Sequence, residues 1–81
     1  MKKEIKVTVA GVTASGKSSI ALSLIKCLKE HGIEVELISE DYNNSIEHME
    51  HSLEHDITLE KRLFYLQEKV KVIVEEKNCI K

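Results

Sequence analysis

Only three glycines and no proline occur in the 81 residues, so this backbone can turn sharply in few places. Gly11 and Gly16 bracket one short stretch, Gly11-Val12-Thr13-Ala14-Ser15-Gly16-Lys17-Ser18, and Gly32 stands alone. Before the bracketed stretch, Ile5, Val7 and Val9 alternate with Lys6 and Thr8, and Ala10 follows, which predicts a short strand. After it, Ile20, Ala21, Leu24, Ile25 and Leu28 recur at helical spacing, which predicts an amphipathic helix from Lys17 to His31. Gly32 then follows Lys29-Glu30-His31, where a left-handed residue would end that helix.

Beyond Gly32 the alternation returns. Ile33, Val35 and Leu37 are interleaved with Glu34 and Glu36, and Ile38 follows, which predicts a second strand. Ser39-Glu40-Asp41-Tyr42-Asn43-Asn44 is a polar loop. Asn44 or Ser45 is placed to cap a helix running toward His55, with Glu47 in its first turn and an apolar stripe of Ile46, Met49 and Leu53 that Ile57 can extend. Asp56 or Thr58 restarts the helical pattern, with Leu59, Leu63, Leu66 and Val70 on one face and Phe64 widening it; one bent helix or two fit equally. Val70, Val72, Ile73 and Val74 form a β-branched run that predicts a strand buried on both faces. The order strand, helix, strand, helical segment, strand predicts an α/β fold, one domain over residues 1–81, with a small parallel sheet flanked by helices.

The bracketed stretch matches G-x-x-x-x-G-K-[ST] without a departure. Glycines at both ends let successive main-chain amides point inward at phosphate oxygens. A helix opening near Lys17 adds the positive end of its dipole. Lys17 brings a full charge to the β- and γ-phosphates, and Ser18 offers a hydroxyl to a Mg²⁺ that bridges phosphates.

On these residues the chain resembles a known family. Val9-Ala10-Gly11-Val12-Thr13-Ala14-Ser15-Gly16-Lys17-Ser18-Ser19 and Leu37-Ile38-Ser39-Glu40-Asp41-Tyr42 are similar to the opening βαβ unit of P-loop kinases of the uridine kinase, adenylate kinase and adenylylsulfate kinase types. The likeness covers roughly the first half of the chain. Minimal P-loop proteins of bacteriophage type resemble it in length as well. The resemblance implies a reduced P-loop NTPase-like three-layer fold with strand order 2-3-1. It implies that ATP, or another nucleoside triphosphate, is held with Mg²⁺ by Gly11, Val12, Thr13, Ala14, Ser15, Gly16, Lys17, Ser18 and Ser19. Lys17 and Asp41 would be the catalytic pair, Asp41 as general base toward a substrate hydroxyl. With the third strand beside the first, Glu75 or Glu76 would approach Ser18 and the metal. Val72-Ile73-Val74-Glu75 resembles the apolar-run-plus-acid element of such enzymes, with Glu where Asp is usual. No N-K-x-D element for guanine occurs, which points to adenine.

Two functions fit: a small kinase-like phosphotransferase or NTPase, and a non-catalytic regulatory or protein-interaction module that keeps the nucleotide pocket. Phosphoryl transfer often uses arginines to clamp the transferring group, and the chain has one, Arg62. No lid follows the third predicted strand, which favours binding over turnover. At 42% hydrophobic and 32% charged residues with a net charge of −2, the composition excludes a strongly basic nucleic-acid binder. No apolar run approaches the ~20 residues of a membrane span, and the N-terminus does not read as a signal peptide. Cys27 and Cys79 are read as free thiols of a reducing compartment, which makes the chain cytoplasmic. A three-stranded sheet would leave two edges exposed, so a homo-oligomer or a partner protein pairing there is expected. His48, His51 and His55 lie at helical spacing, and His51-Ser52-Leu53-Glu54-His55 matches H-x-x-E-H. Beside the stripe of Met49 and Leu53 they are read as a solvated polar face rather than a metal site.

Overall fold

A computed structural model describes residues 3–12 and 16–76. Three helices form among them: α1 over Lys17–Glu30, α2 over Ile46–Leu53 and α3 over Leu59–Leu66. Each ends where local chemistry dictates. At the C-terminus of α1, Gly32 takes the left-handed conformation at φ 75°. Its N–H donates to the Lys29 carbonyl at 3.0 Å, and Ile33 N–H donates to the Leu28 carbonyl at 3.1 Å. That crossed pair satisfies carbonyls which would otherwise end the helix unpaired. Ser45 caps α2, its Oγ accepting from His48 N–H at 3.1 Å. Thr58 caps α3, its Oγ1 accepting from Lys61 N–H at 3.4 Å. Of the two options for each N-terminus, Ser45 and Thr58 are the caps. The helical pattern from Ile46 to Leu66 is two helices, because residues 54–58 break between them.

The core is built on α1. Leu22, with no exposed surface, and Ile25 meet Met49 of α2 and Leu59 of α3, and all four are buried. Ala21, Ile46, Leu53 and Leu63 extend this cluster along the three helices. Across its edge, Lys26 of α1 donates to Glu54 Oε1 at 2.6 Å and stands 3.6 Å from Glu50 Oε2. The hydrogen bond to Glu54 is the main reason the Lys26 pKa is raised from 10.5. Arg62 Nε of α3 donates to the carbonyl of Leu53, the last residue of α2. A cation there satisfies an orphan carbonyl and complements the negative end of the helix dipole.

The expected α/β architecture is overturned. Among the described residues there is no strand, so there is neither a parallel sheet of order 2-3-1 nor a three-layer P-loop arrangement. The physical reason lies on α1. A sheet would have to cover its apolar stripe, and Met49 and Leu59 cover it instead. Of the three predicted strands, only that at 33–38 reaches the core, with Val35 and Leu37 half-buried against it and Ile33 and Ile38 exposed. Residues around Ile5, 91% exposed, and Val74, 88% exposed, stay outside any regular element. Among the described residues there is accordingly no sheet edge of the kind through which self-association was expected. Among the described residues no helix is long and apolar enough to cross a membrane.

Leu22→Ala should destabilise the fold by about 2–5 kcal/mol in urea denaturation, because the deletion leaves a cavity where three helices meet. A loss below about 1 kcal/mol would show that α1 is not the centre of the core. A raised lysine pKa stabilises the folded state below pH 10.5 and loses that contribution as pH rises through the folded-state value. Lys26 is a partly exposed group, so Lys26→Met should cost only about 0.5–1 kcal/mol at pH 7. The difference from wild type should begin to shrink above pH 10.5 and vanish only once the pH has passed the higher folded-state value.

Candidate functional site

The N-terminus of α1 is built differently from those of α2 and α3. Its N-cap is Gly16 in the left-handed region, φ 92° and ψ 12°, with no side-chain cap and no acidic residue in the first turn. By contrast α2 and α3 carry Glu47 and Glu60 in their first turns beside the Ser45 and Thr58 caps. Ile20 N–H reaches back to the Gly16 carbonyl at 3.1 Å, which closes the first turn of α1. The amides ahead of that bond have no partner within the helix, and no acidic residue of the first turn of α1 offsets the positive end of its dipole.

Lys17 folds back over the loop. Its Nζ donates to the Gly11 carbonyl at 3.3 Å, so the two ends of the glycine-bracketed stretch lie together. Ser18 is half-buried on the first turn and Ser19 is buried; Gly11 and Val12 are exposed. Thr13, Ala14 and Ser15 lie outside the described residues. Glycine at position 16 is favoured first by its backbone conformation, with a side-chain contact beside it. Its φ is strained for any residue with a Cβ, and a Cβ there would sit 2.7 Å from both Cδ atoms of Leu66. The last residue of α3 therefore rests directly on the loop. Sequence reasoning placed Leu66 on an apolar stripe, and nothing local to residues 59–66 announces its partner.

Asp41 and Glu75, the other expected site residues, lie outside the helices. Asp41 is exposed in the turn Ser39–Asn44. That turn is closed by Asn44 N–H to the Ser39 carbonyl at 2.8 Å and by Ser39 N–H to Asn44 Oδ1 at 2.7 Å. Neither a hydrogen bond nor an ion pair joins Asp41 to Lys17 or Ser18 among the described residues. Glu75 is exposed in the irregular segment 70–76. Its approach to Ser18 required a third strand beside the first, and that pairing is not formed. His48 lies near Tyr42, ring centroids 6.0 Å apart, while His51 and His55 meet edge to face at 5.7 Å. His55 Nδ1 is 3.0 Å from Asp56 Oδ1. Among the described residues no group of three or more His, Cys, Asp or Glu side chains is placed to hold a metal ion. Cys27 is an exposed free thiol, and Cys79 lies outside the described residues.

No protein-family model, curated protein or solved structure matches this chain.

Gly16→Ala should destabilise the chain by about 1–3 kcal/mol, combining left-handed strain with the clash against Leu66. In a Leu66→Ala background the steric part should disappear and only the backbone part, about 1–2 kcal/mol, should remain. Equal losses in both backgrounds, measured by urea denaturation, would show that Leu66 does not rest on the loop.

Proposed function

We propose that this chain binds a nucleoside triphosphate, ATP with Mg²⁺, through Gly11–Ser18 and the first turn of α1 as far as Ser19. The observation that carries the reading is the join between loop and helix. The uncapped, carboxylate-free start of α1 follows a left-handed glycine, and Lys17 turns its ammonium back to Gly11 O. A helix start with its dipole and a lysine cation thus belong to one motif whose residue types suit phosphate oxygens. The likeness to P-loop kinases is proposed for this loop and helix alone, without the sheet. Ser18 suits a Mg²⁺ that keeps most of its waters and is held chiefly by the phosphates, a mode that needs few protein ligands. The chemistry is that of a cytoplasmic nucleotide binder.

Binding without turnover is the form of the reading favoured by a specific contact. The one arginine, Arg62, is engaged by the Leu53 carbonyl at the end of α2, and Asp41 sits on an exposed turn. Among the described residues neither makes a hydrogen bond or ion pair to Gly11, Lys17 or Ser18.

Calorimetry with ATP and Mg²⁺ should show binding that Lys17→Ala weakens by about 10- to 150-fold, the loss of a charged hydrogen bond to phosphate. Circular dichroism of the variant should be unchanged, because among the described residues the Lys17 ammonium hydrogen-bonds to the exposed Gly11 carbonyl and not to the core. A γ-phosphate release assay should stay at background. Calorimetry silent toward every triphosphate would overturn the reading, and release that depends on Lys17 would restore the enzyme class.

A further inference from the structure

The chain has three aromatic side chains, and two of them, Phe64 and Tyr65, are neighbours on α3, 64% and 60% exposed. They stand at the end of the helix that touches the loop. Leu66, the next residue, rests on Gly16, so the last turn of α3 is fixed against the start of α1. Successive Cα atoms are about 3.8 Å apart, which brings the Tyr65 backbone beside that contact. Residues one apart on a helix point about 100° from each other. With Leu66 turned to Gly16, Tyr65 therefore flanks the contact instead of lying beneath it, and its ring stays open to water. Phe64 meets the Tyr65 ring at a centroid distance of 6.1 Å and an interplanar angle of 68°, an edge-on arrangement that restrains one ring and leaves a face of the pair free.

Two adjacent aromatic rings are left in solvent by a chain whose core is short of large apolar groups. No packing role explains them, for the buried cluster is made of Leu22, Ile25, Met49 and Leu59. A nucleotide held by its phosphates at the loop must place its base outside the loop, next to whatever flanks it. We infer that Tyr65 is the base-contacting residue of the nucleotide site, taking the purine ring face to face, and that Phe64 is a positioning residue that holds the Tyr65 ring. Leu66 sets the distance between this platform and the phosphate loop. Every base has a π-face, so the platform adds affinity for a nucleobase without choosing strongly among bases. This inference rests on the phosphate-binding reading of Gly11–Ser18.

The test compares ATP with inorganic tripolyphosphate, each with Mg²⁺, by calorimetry on the full chain. Tyr65→Ala should weaken ATP by about 5- to 150-fold and leave tripolyphosphate unchanged, while Lys17→Ala weakens both. Tyr65→Phe should keep the wild-type affinity for ATP, and Tyr65→Leu, which retains apolar bulk without a ring, should not. Phe64→Ala should give a smaller loss confined to ATP. Unchanged ATP affinity in Tyr65→Ala, with Lys17→Ala still defective, overturns the aromatic platform and leaves the phosphate site standing. Equal losses of ATP and tripolyphosphate in Tyr65→Ala would assign the residue to the loop's structure and overturn a base contact. Wild type that binds neither ligand overturns both readings.

Discussion

The burial of one stripe on α1 is the constraint from which the other positions follow. A 14-residue helix is marginal in water on propensity alone, so α1 must be held by what covers Leu22 and Ile25. Met49 and Leu59 cover them, which sets α2 and α3 against the same helix. The polar contacts then fix how those helices lie. Lys26 ties α1 to Glu54 near the end of α2, Arg62 ties α3 to the last carbonyl of α2, and Leu66 seats the end of α3 on Gly16. Gly16, at the start of α1, thus also meets the end of α3.

What the sequence discloses about this arrangement is what its neighbours in the chain decide. Ser45, Thr58 and Gly32 act within four residues of themselves, and each ends or begins a helix where its chemistry says it should. The glycine-bracketed motif is local in the same way, and its two ends meet through Lys17 and Gly11. Strand pairing is different. Alternation at Ile5-Val7-Val9 or at Ile33-Val35-Leu37 is necessary for a half-buried strand, but a ladder also needs a distant partner. An apolar stripe such as that of α1 specifies that something must cover it and not whether a sheet or a pair of helices does so. Asp41 and Glu75 were assigned from the ends of expected strands, so those assignments depended on the sheet. Leu66 was visible as an apolar residue and invisible as the neighbour of Gly16, fifty positions away.

The three helix starts show how small changes in side chain redirect the same backbone chemistry. At α2 and α3 a hydroxyl takes one amide and a glutamate offsets the dipole, so both starts are internally satisfied. At α1 a glycine stands in the capping position and the first charged residue is a lysine. Taken as stability alone, that choice is poor, since a cation at a helix N-terminus opposes the dipole. Under the proposed reading it has a purpose. An anion between lysine and helix start would be attracted by both, and the 3.3 Å bond from Lys17 to a neutral, exposed carbonyl is one that a phosphate can displace.

The same reasoning explains why such a site would hold a triphosphate more readily than it would break one. Transfer of a phosphoryl group builds charge on oxygens that must be neutralised beyond what the ground state requires. Under the proposed reading, Lys17 and a Mg²⁺ held with the phosphates would serve ground state and transition state alike, and uniform binding does not accelerate a reaction. The extra stabilisation would have to come from a second cation or a placed base. Arg62 is the sole guanidinium, and withdrawing it from the Leu53 carbonyl would free an orphan acceptor and loosen α3 from α2. Since α3 carries Leu66 onto Gly16, recruiting that arginine would also unsettle the loop it was meant to serve.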